Sequence, residues 1–176
     1  VEAVPFAHPM IDEWREVFKG VQYHHQPSNF LLFGAVDDIW VNKENELFVV
    51  DYKATSTAGV ISLDSEYRQA YKRQMEIYQW LLRHQNLKVS DTGYFVYCNA
   101  DKAKEAFDGR LEFFVEIISY EGKSDWIENV IMDARRCLMR DELPDSSASC
   151  EYCQYRKTAR ESEDKKTPGR VDFNFQ

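Results

Sequence analysis

GAVDD at residues 34–38 and LFVVDYK at residues 47–53 are the two segments that decide the fold of this chain. The second segment, read as a strand, is apolar on both faces, which is typical of a strand inside a sheet. Asp51 and Lys53 then share one face, about 6.7 Å apart along the strand. A buried carboxylate needs a compensating cation, and Lys53 and a bound metal ion are the two candidates.

A polar turn, NKEN at residues 42–45, joins the two segments and predicts a β-hairpin. A three-residue loop pairs Asp37 with Asp51, whereas a four-residue loop shifts the pairing by one residue. Paired residues have Cβ atoms about 5 Å apart, so two carboxylates there destabilise the hairpin unless a cation lies between them. Read as one strand, the first arm places Asp37 on its apolar face. Asp38 then lies on the opposite face, where we expect it to cap or to form hydrogen bonds.

The composition is that of a packed globular protein, with 44% hydrophobic and 14% aromatic residues among 176. We predict one domain at residues 1–155 and a charged, poorly ordered tail at 156–176. No apolar run approaches the roughly 18 residues of a membrane span, so no membrane association is expected. The net charge of −8 argues against nucleic-acid binding through bulk positive potential. An acidic, metal-binding site with local basic contacts is compatible with that charge.

The ends and the cysteines of the chain carry less information. The chain begins at Val1 rather than at Met, which we expect of a processed or trimmed chain. Its four cysteines are unevenly spaced and do not form a disulfide framework. We therefore expect a reducing, cytoplasmic location.

Periodicity predicts helices and strands on both sides of the hairpin. Helices are expected at residues 9–19, 64–84 and 125–139. Further strands are expected at residues 21–25, 93–98 and 111–120. Residues 171–175 alternate between apolar and polar, as in an edge strand or a disordered end.

Three motifs in a fixed order carry a family resemblance: Gly34-x-Val36-Asp37, Asp51-x-Lys53 and Gln74-x-x-x-Tyr78. Together they resemble the PD-(D/E)XK nuclease superfamily and, within it, the RecB-type exonucleases, which include the CRISPR-associated RecB-like nucleases. The resemblance implies an α/β fold with a mixed central sheet flanked by helices. It also implies divalent-metal-dependent hydrolysis of DNA, by an exonuclease in DNA repair, recombination or defence.

The resemblance also assigns roles to residues. Asp37 and Asp51, with the backbone carbonyl of Tyr52, would hold Mg²⁺ or Mn²⁺, for which hard oxygen ligands are suited. Lys53 would orient or deprotonate the attacking water and stabilise developing charge. Another interpretation is that Lys53 only neutralises Asp51 in a buried ion pair. His24, which precedes the hairpin, is a further candidate metal ligand.

Gln74 and Tyr78 lie one helical turn apart and, by resemblance, border the active site. The alternative is that Tyr78 is a core residue and Gln74 a buried amide with backbone partners. As substrate, the resemblance implies single-stranded DNA or duplex ends. The resemblance also implies a partner protein, for which a helicase or another nuclease-complex subunit is the candidate. The competing function is an inactive nuclease-fold module for DNA binding or complex assembly.

Cys150-x-x-Cys153 is similar to part of the element that holds an iron–sulfur cluster in many RecB-type nucleases. A cluster needs four thiolates, and the later cysteine of that pattern is missing here. Adding Cys98 and Cys137 would require an unusual geometry. We therefore expect neither an iron–sulfur cluster nor zinc at this place.

Overall fold

The computed structural model describes residues 1–103 and 109–166. The strands are β1 (Val4–Pro5), β2 (Val21–His25), β3 (Phe30–Gly34), β4 (Asp38–Val41), β5 (Leu47–Thr55), β6 (Thr92–Ala100) and β7 (Phe113–Glu121). The helices are α1 (Ile11–Arg15), α2 (Gln69–Arg83), α3 (Ile127–Leu138) and α4 (Glu151–Lys166), and a 3₁₀ turn at Glu66–Arg68 leads into α2. The chain divides into two compact units, Val1–Ala134 and a second that begins at Arg135.

The first unit is built on a five-stranded mixed sheet in the order β1-β4-β5-β6-β7. β5 and β6 are parallel, and the other neighbours are antiparallel. The connection from β5 to β6 contains α2, which packs against β5 and against a separate β2–β3 hairpin. A parallel pair requires such a crossover, since a tight turn cannot connect parallel strands. The predicted fold, a mixed central sheet flanked by helices, is confirmed.

The predicted β4–β5 hairpin has a three-residue loop at 43–45. The side-chain oxygen of Asn42 accepts hydrogen bonds from the backbone N–H groups of Glu44 (3.0 Å) and Glu46 (2.9 Å). Asn45 has a φ of 55°, a left-handed conformation that asparagine tolerates. The strands pair with Asp38 opposite Val50. The register is therefore the one that directs Asp37 toward Asp51.

The first arm is not one strand, which corrects the face assigned to it. β3 ends at Gly34 and β4 begins at Asp38, and the two strands belong to different sheets. Leu31 and Phe33 are 57% and 53% exposed, so the predicted apolar face is not buried there. The break arises because Val36 donates its backbone N–H to the carbonyl of Trp14 (3.1 Å), outside any ladder.

The predicted helices are present with different bounds. The one predicted at 9–19 is shortened to α1, because Glu16 is extended and the backbone N–H of Gly20 turns back to the carbonyl of Glu13. The one predicted at 64–84 is the 3₁₀ turn followed by α2. The one predicted at 125–139 is α3. No described helix has both the length and the apolar character that crossing a membrane requires.

The charged tail differs most from its prediction. α4 extends to Lys166, where poor order was expected from residue 156 onward. Glutamate, lysine and arginine make up half of this segment, and all are good helix formers, so a helix can form without a large apolar face. The strand proposed at 171–175 lies outside the described residues. The domain boundary at residue 155 stays a prediction.

Candidate active site

Asp51 and Lys53 lie on the half of β5 that continues past the end of its pairing with β4. Asp51 is buried, with only 2% of its surface exposed. Lys53 Nζ lies 2.5 Å from Asp51 Oδ2, and the lysine side chain is mostly buried. The ammonium also lies 4.6 Å from the centre of the Tyr71 ring, a cation–π contact from α2. These contacts hold the lysine directly over the carboxylate.

Asp37 reaches the same place from the link between β3 and β4. Its Oδ2 accepts a hydrogen bond from the backbone N–H of Tyr52 (2.9 Å), and Asp37 itself is exposed. Burial raises the pKa of Asp51, Lys53 opposes that rise, and the negative charge of Asp37 adds to it. The structure thus brings together Asp37, Asp51 and Lys53 at one end of β5.

The donor set fits a hard divalent cation. Asp51 Oδ2 is buried and forms no aligned hydrogen bond, although Lys53 is close to it. In an antiparallel edge the N–H and C=O of one residue point the same way. The Tyr52 carbonyl is therefore directed to the side where its N–H meets Asp37. In residues 1–103 and 109–166 no three His, Cys, Asp or Glu side chains cluster. Mg²⁺ often binds through only one or two carboxylates and keeps several waters, so this pair suffices.

His24 is not brought to this pair. It pairs with Leu31 in the β2–β3 hairpin, whereas Val21, at the other end, pairs with Gly34. The exposed imidazole lies 3.0 Å from Asn29 Oδ1 and 2.7 Å from Gln26 Nε2. The neighbouring His25 is buried between Ser28 and Glu128. Both histidines form hydrogen bonds with residues other than the two carboxylates.

Tyr78 lies close enough to Asp51 and Asp37 to be affected by their charges, and Gln74 contacts Tyr78. The amide of Gln74 donates to the Tyr78 hydroxyl (2.8 Å). Burial raises the pKa of Tyr78, and the charges of Asp51 and Asp37 contribute to that rise. A Cβ at Gly34 would lie 2.7 Å from the Tyr78 ring, so the glycine of the first motif makes room for the tyrosine of the third.

Asp38 forms hydrogen bonds, as predicted, although the single strand on which that prediction was based is broken before it. Its carboxylate pairs with Arg15 and accepts from the backbone N–H of Ile39 (2.8 Å). It also accepts from the Trp40 indole (3.3 Å) and the Tyr52 hydroxyl (2.9 Å). With four partners and little exposure, it has no capacity left for a metal ion.

Tyr71, Tyr97 and Arg68 also lie at the site, outside the three motifs of the sequence analysis. Tyr71 contacts Lys53, and its hydrogen bond with the Tyr67 hydroxyl raises the pKa of Tyr71 to about 12. Tyr97 is paired with Lys53 across β5 and β6, and the guanidinium of Arg68 lies 5.5 Å from the centre of its ring. Tyr71 and Arg68 lie on a helix that had been predicted. The position of Tyr97 depends on a long-range strand register that no local signal specifies.

The cysteines give no metal centre among the described residues. Cys98, Cys137, Cys150 and Cys153 are all free thiols. A hydrogen bond from the backbone of Cys153 lowers the pKa of Cys150, which immediately precedes α4. Whether this pair binds iron or zinc stays a prediction.

Comparison with known proteins gives one result. A family model of the PD-(D/E)XK nuclease superfamily matches residues 3–158. Neither the search of curated proteins nor the search of solved structures found a match.

Proposed function

Because this chain belongs to the PD-(D/E)XK nuclease superfamily, we propose that it is a divalent-metal-dependent nuclease that hydrolyses DNA phosphodiester bonds. The observation that carries the proposal is the convergence of Asp37, Asp51 and Lys53 at the end of β5. The acidic pair matches the ligand preference of Mg²⁺ and Mn²⁺. The lysine supplies the positive charge that phosphoryl chemistry requires beside the metal.

Each residue of the site has its own role in the proposed reaction. A bound Mg²⁺ or Mn²⁺ supplies Lewis acidity and a more acidic bound water. Asp37 and Asp51, with the Tyr52 carbonyl, would hold that ion. Lys53 orients the attacking water and stabilises negative charge on the phosphate oxygens. Tyr71 holds the lysine in place, and Gln74 and Tyr78 form the adjacent wall.

The finer assignments rest on the RecB-type resemblance of the motifs. We propose exonuclease action on single-stranded DNA or duplex ends. We also propose a role in DNA repair, recombination or defence, with a helicase or another nuclease-complex subunit as partner. A cytoplasmic location rests on the uneven spacing of the cysteines. The competing function is an inactive nuclease-fold module. The observation in its favour is the close Lys53–Asp51 ion pair, which a purely structural role also explains.

Cleavage of labelled single- and double-stranded DNA by wild type and Lys53→Ala separates the two functions. We expect metal-dependent cleavage by wild type and a loss of about 100-fold or more in the variant, the usual effect of removing one electrostatic catalytic group. Lys43→Ala is the matched control, since Lys43 is an exposed lysine in the loop of the same hairpin. If wild type and Lys53→Ala are equally inert in both Mg²⁺ and Mn²⁺, the protein is the inactive module.

A further inference from the structure

Tyr97 has a buried hydroxyl that the fold leaves without a partner. The residue is 2% exposed, and its Oη forms no hydrogen bond within the described part of the chain. Buried polar groups nearly always have a partner, so each exception needs an explanation. Among the described residues two other buried side-chain atoms share this condition, Gln79 Oε1 and Asp51 Oδ2. Asp51 Oδ2 belongs to the proposed site.

The strand register places Tyr97 beside that site. Tyr97 pairs with Lys53, and Phe95 with Asp51, across the parallel β5–β6 ladder. Directly paired residues share one face of the sheet, and neighbouring strands are about 4.8 Å apart. Tyr97 therefore lies on the face of Asp51 and Lys53, one strand away.

Two cationic residues are neighbours of Tyr97. Lys53 is its paired neighbour, and Arg68 lies over its ring while donating to the carbonyl of Ser62. A tyrosine hydroxyl is protonated at neutral pH and can donate a hydrogen bond. The Tyr97 hydroxyl is therefore a donor that has Lys53 and Arg68 as neighbours and lies beside the proposed metal-binding carboxylates. Such a group is suited to bind an anionic oxygen.

We propose that the Tyr97 hydroxyl donates a hydrogen bond to a non-bridging oxygen of the scissile phosphodiester. The inference rests on the proposed function and deepens it, since it assigns a substrate contact to a residue outside the three motifs. Arg68 is a long, flexible side chain over the Tyr97 ring, and its movement toward a bound phosphate would open this side of the tyrosine. No bond to Tyr97 forms or breaks in this role.

Tyr97→Phe tests the proposal because it removes the hydroxyl and keeps the ring. Tyr94→Phe is the matched control, since Tyr94 lies on the same strand, faces the other way and stacks on Trp40. Three quantities are measured: the cleavage rate in Mg²⁺, the Kd for a single-stranded oligonucleotide in Ca²⁺, and the metal-free melting temperature. For Tyr97→Phe we expect a rate loss of about 100-fold, weaker binding and an unchanged or higher melting temperature. Tyr94→Phe should match wild type in rate and affinity.

The possible outcomes separate this inference from the proposed function. If wild type cleaves DNA and Tyr97→Phe has the same rate and Kd, the hydroxyl has no substrate role and the proposed function stands. A lower melting temperature with an unchanged rate assigns Tyr97 to the core alone. If wild type does not cleave DNA, the proposed function fails. The Kd comparison then decides whether Tyr97 contacts a phosphate.

Discussion

Glu76 and Asp51 are two buried carboxylates of the first unit, and their surroundings differ. Glu76, 7% exposed on α2, accepts hydrogen bonds from the Tyr120 hydroxyl (2.6 Å), the Trp126 indole (2.7 Å) and the Lys123 backbone (3.0 Å). Asp51 has a lysine close to one oxygen, no aligned bond on that oxygen and a second carboxylate nearby.

The difference shows how a structural charge can be told from a functional one. Three hydrogen-bond donors replace the water that the buried Glu76 carboxylate no longer contacts, so Glu76 stabilises the fold. They belong to β7 and to the loop between β7 and α3, and Glu76 ties both to α2. Asp51 is only partly compensated, and burial makes its charged form unfavourable until another cation binds. Such incomplete compensation is common at active sites.

The largest expected effect comes from Asp51→Asn, which removes the charge and keeps the shape. We expect the metal-dependent cleavage rate to fall by at least about 100-fold, because a metal ligand and its charge are lost. The free energy of unfolding of the metal-free protein should be unchanged or higher, since an amide is cheaper to bury than a carboxylate. Single-turnover cleavage and urea unfolding measure the two quantities. A large loss of stability would show that Asp51 is structural, like Glu76.

The opposite pattern is expected for Glu76→Gln. Its three charge-assisted hydrogen bonds become weaker, and one donor loses its partner. The free energy of unfolding should therefore fall by about 2 kcal/mol in urea unfolding. The cleavage rate, measured well below the melting temperature, should stay within a few-fold of wild type. Glu44→Gln, an exposed substitution in the β4–β5 loop, is the control. A folded Glu76→Gln protein without cleavage activity would contradict the comparison.

The smallest effect is the pH dependence of stability without metal. Burial raises the pKa of folded Asp51 above the ordinary 3.8, so between the two values the folded state holds a proton that the unfolded state has released. Stability then falls as pH rises through this window, by less than about 1.4 kcal/mol per pH unit. We expect the unfolding free energy of wild type to fall relative to that of Asp51→Asn as pH rises above the ordinary pKa of 3.8. If the difference in unfolding free energy between wild type and Asp51→Asn does not change with pH, the Asp51 carboxyl has the same pKa in the folded and the unfolded state.

Much of the site could be predicted because its signals are local. The polar turn at 42–45 predicted the hairpin and left two loop lengths open. Asn42 and Asn45 stabilise the three-residue loop, whose register directs Asp37 to Asp51. The four-residue spacing of Gln74 and Tyr78 places both on one side of α2, where they form a hydrogen bond. Local turn geometry and helical periodicity involve few residues, so their signals can be recognised in the sequence.

The rest depended on contacts between distant parts of the chain. The break between β3 and β4 follows from Val36 bonding to Trp14 on α1, which no pattern within residues 31–41 indicates. The extent of α4 was missed because low hydrophobicity was taken as a sign of disorder, although the helix propensity of its residues is high.

The sequence by itself determined the hairpin and the shared face of Asp51 and Lys53, because these follow from turn chemistry and the two-residue period of a strand, and it left the loop at three or four residues. The structure has the three-residue loop, which brings Asp37 to these two residues. Only the tertiary structure decided what surrounds them. The parallel β5–β6 register brings Tyr97 beside Lys53, and the packing of α2 places Tyr71 under the same lysine. Tyr71 lies within the β5–β6 crossover and Tyr97 lies beyond it, so only the packed sheet and helix bring them to Lys53.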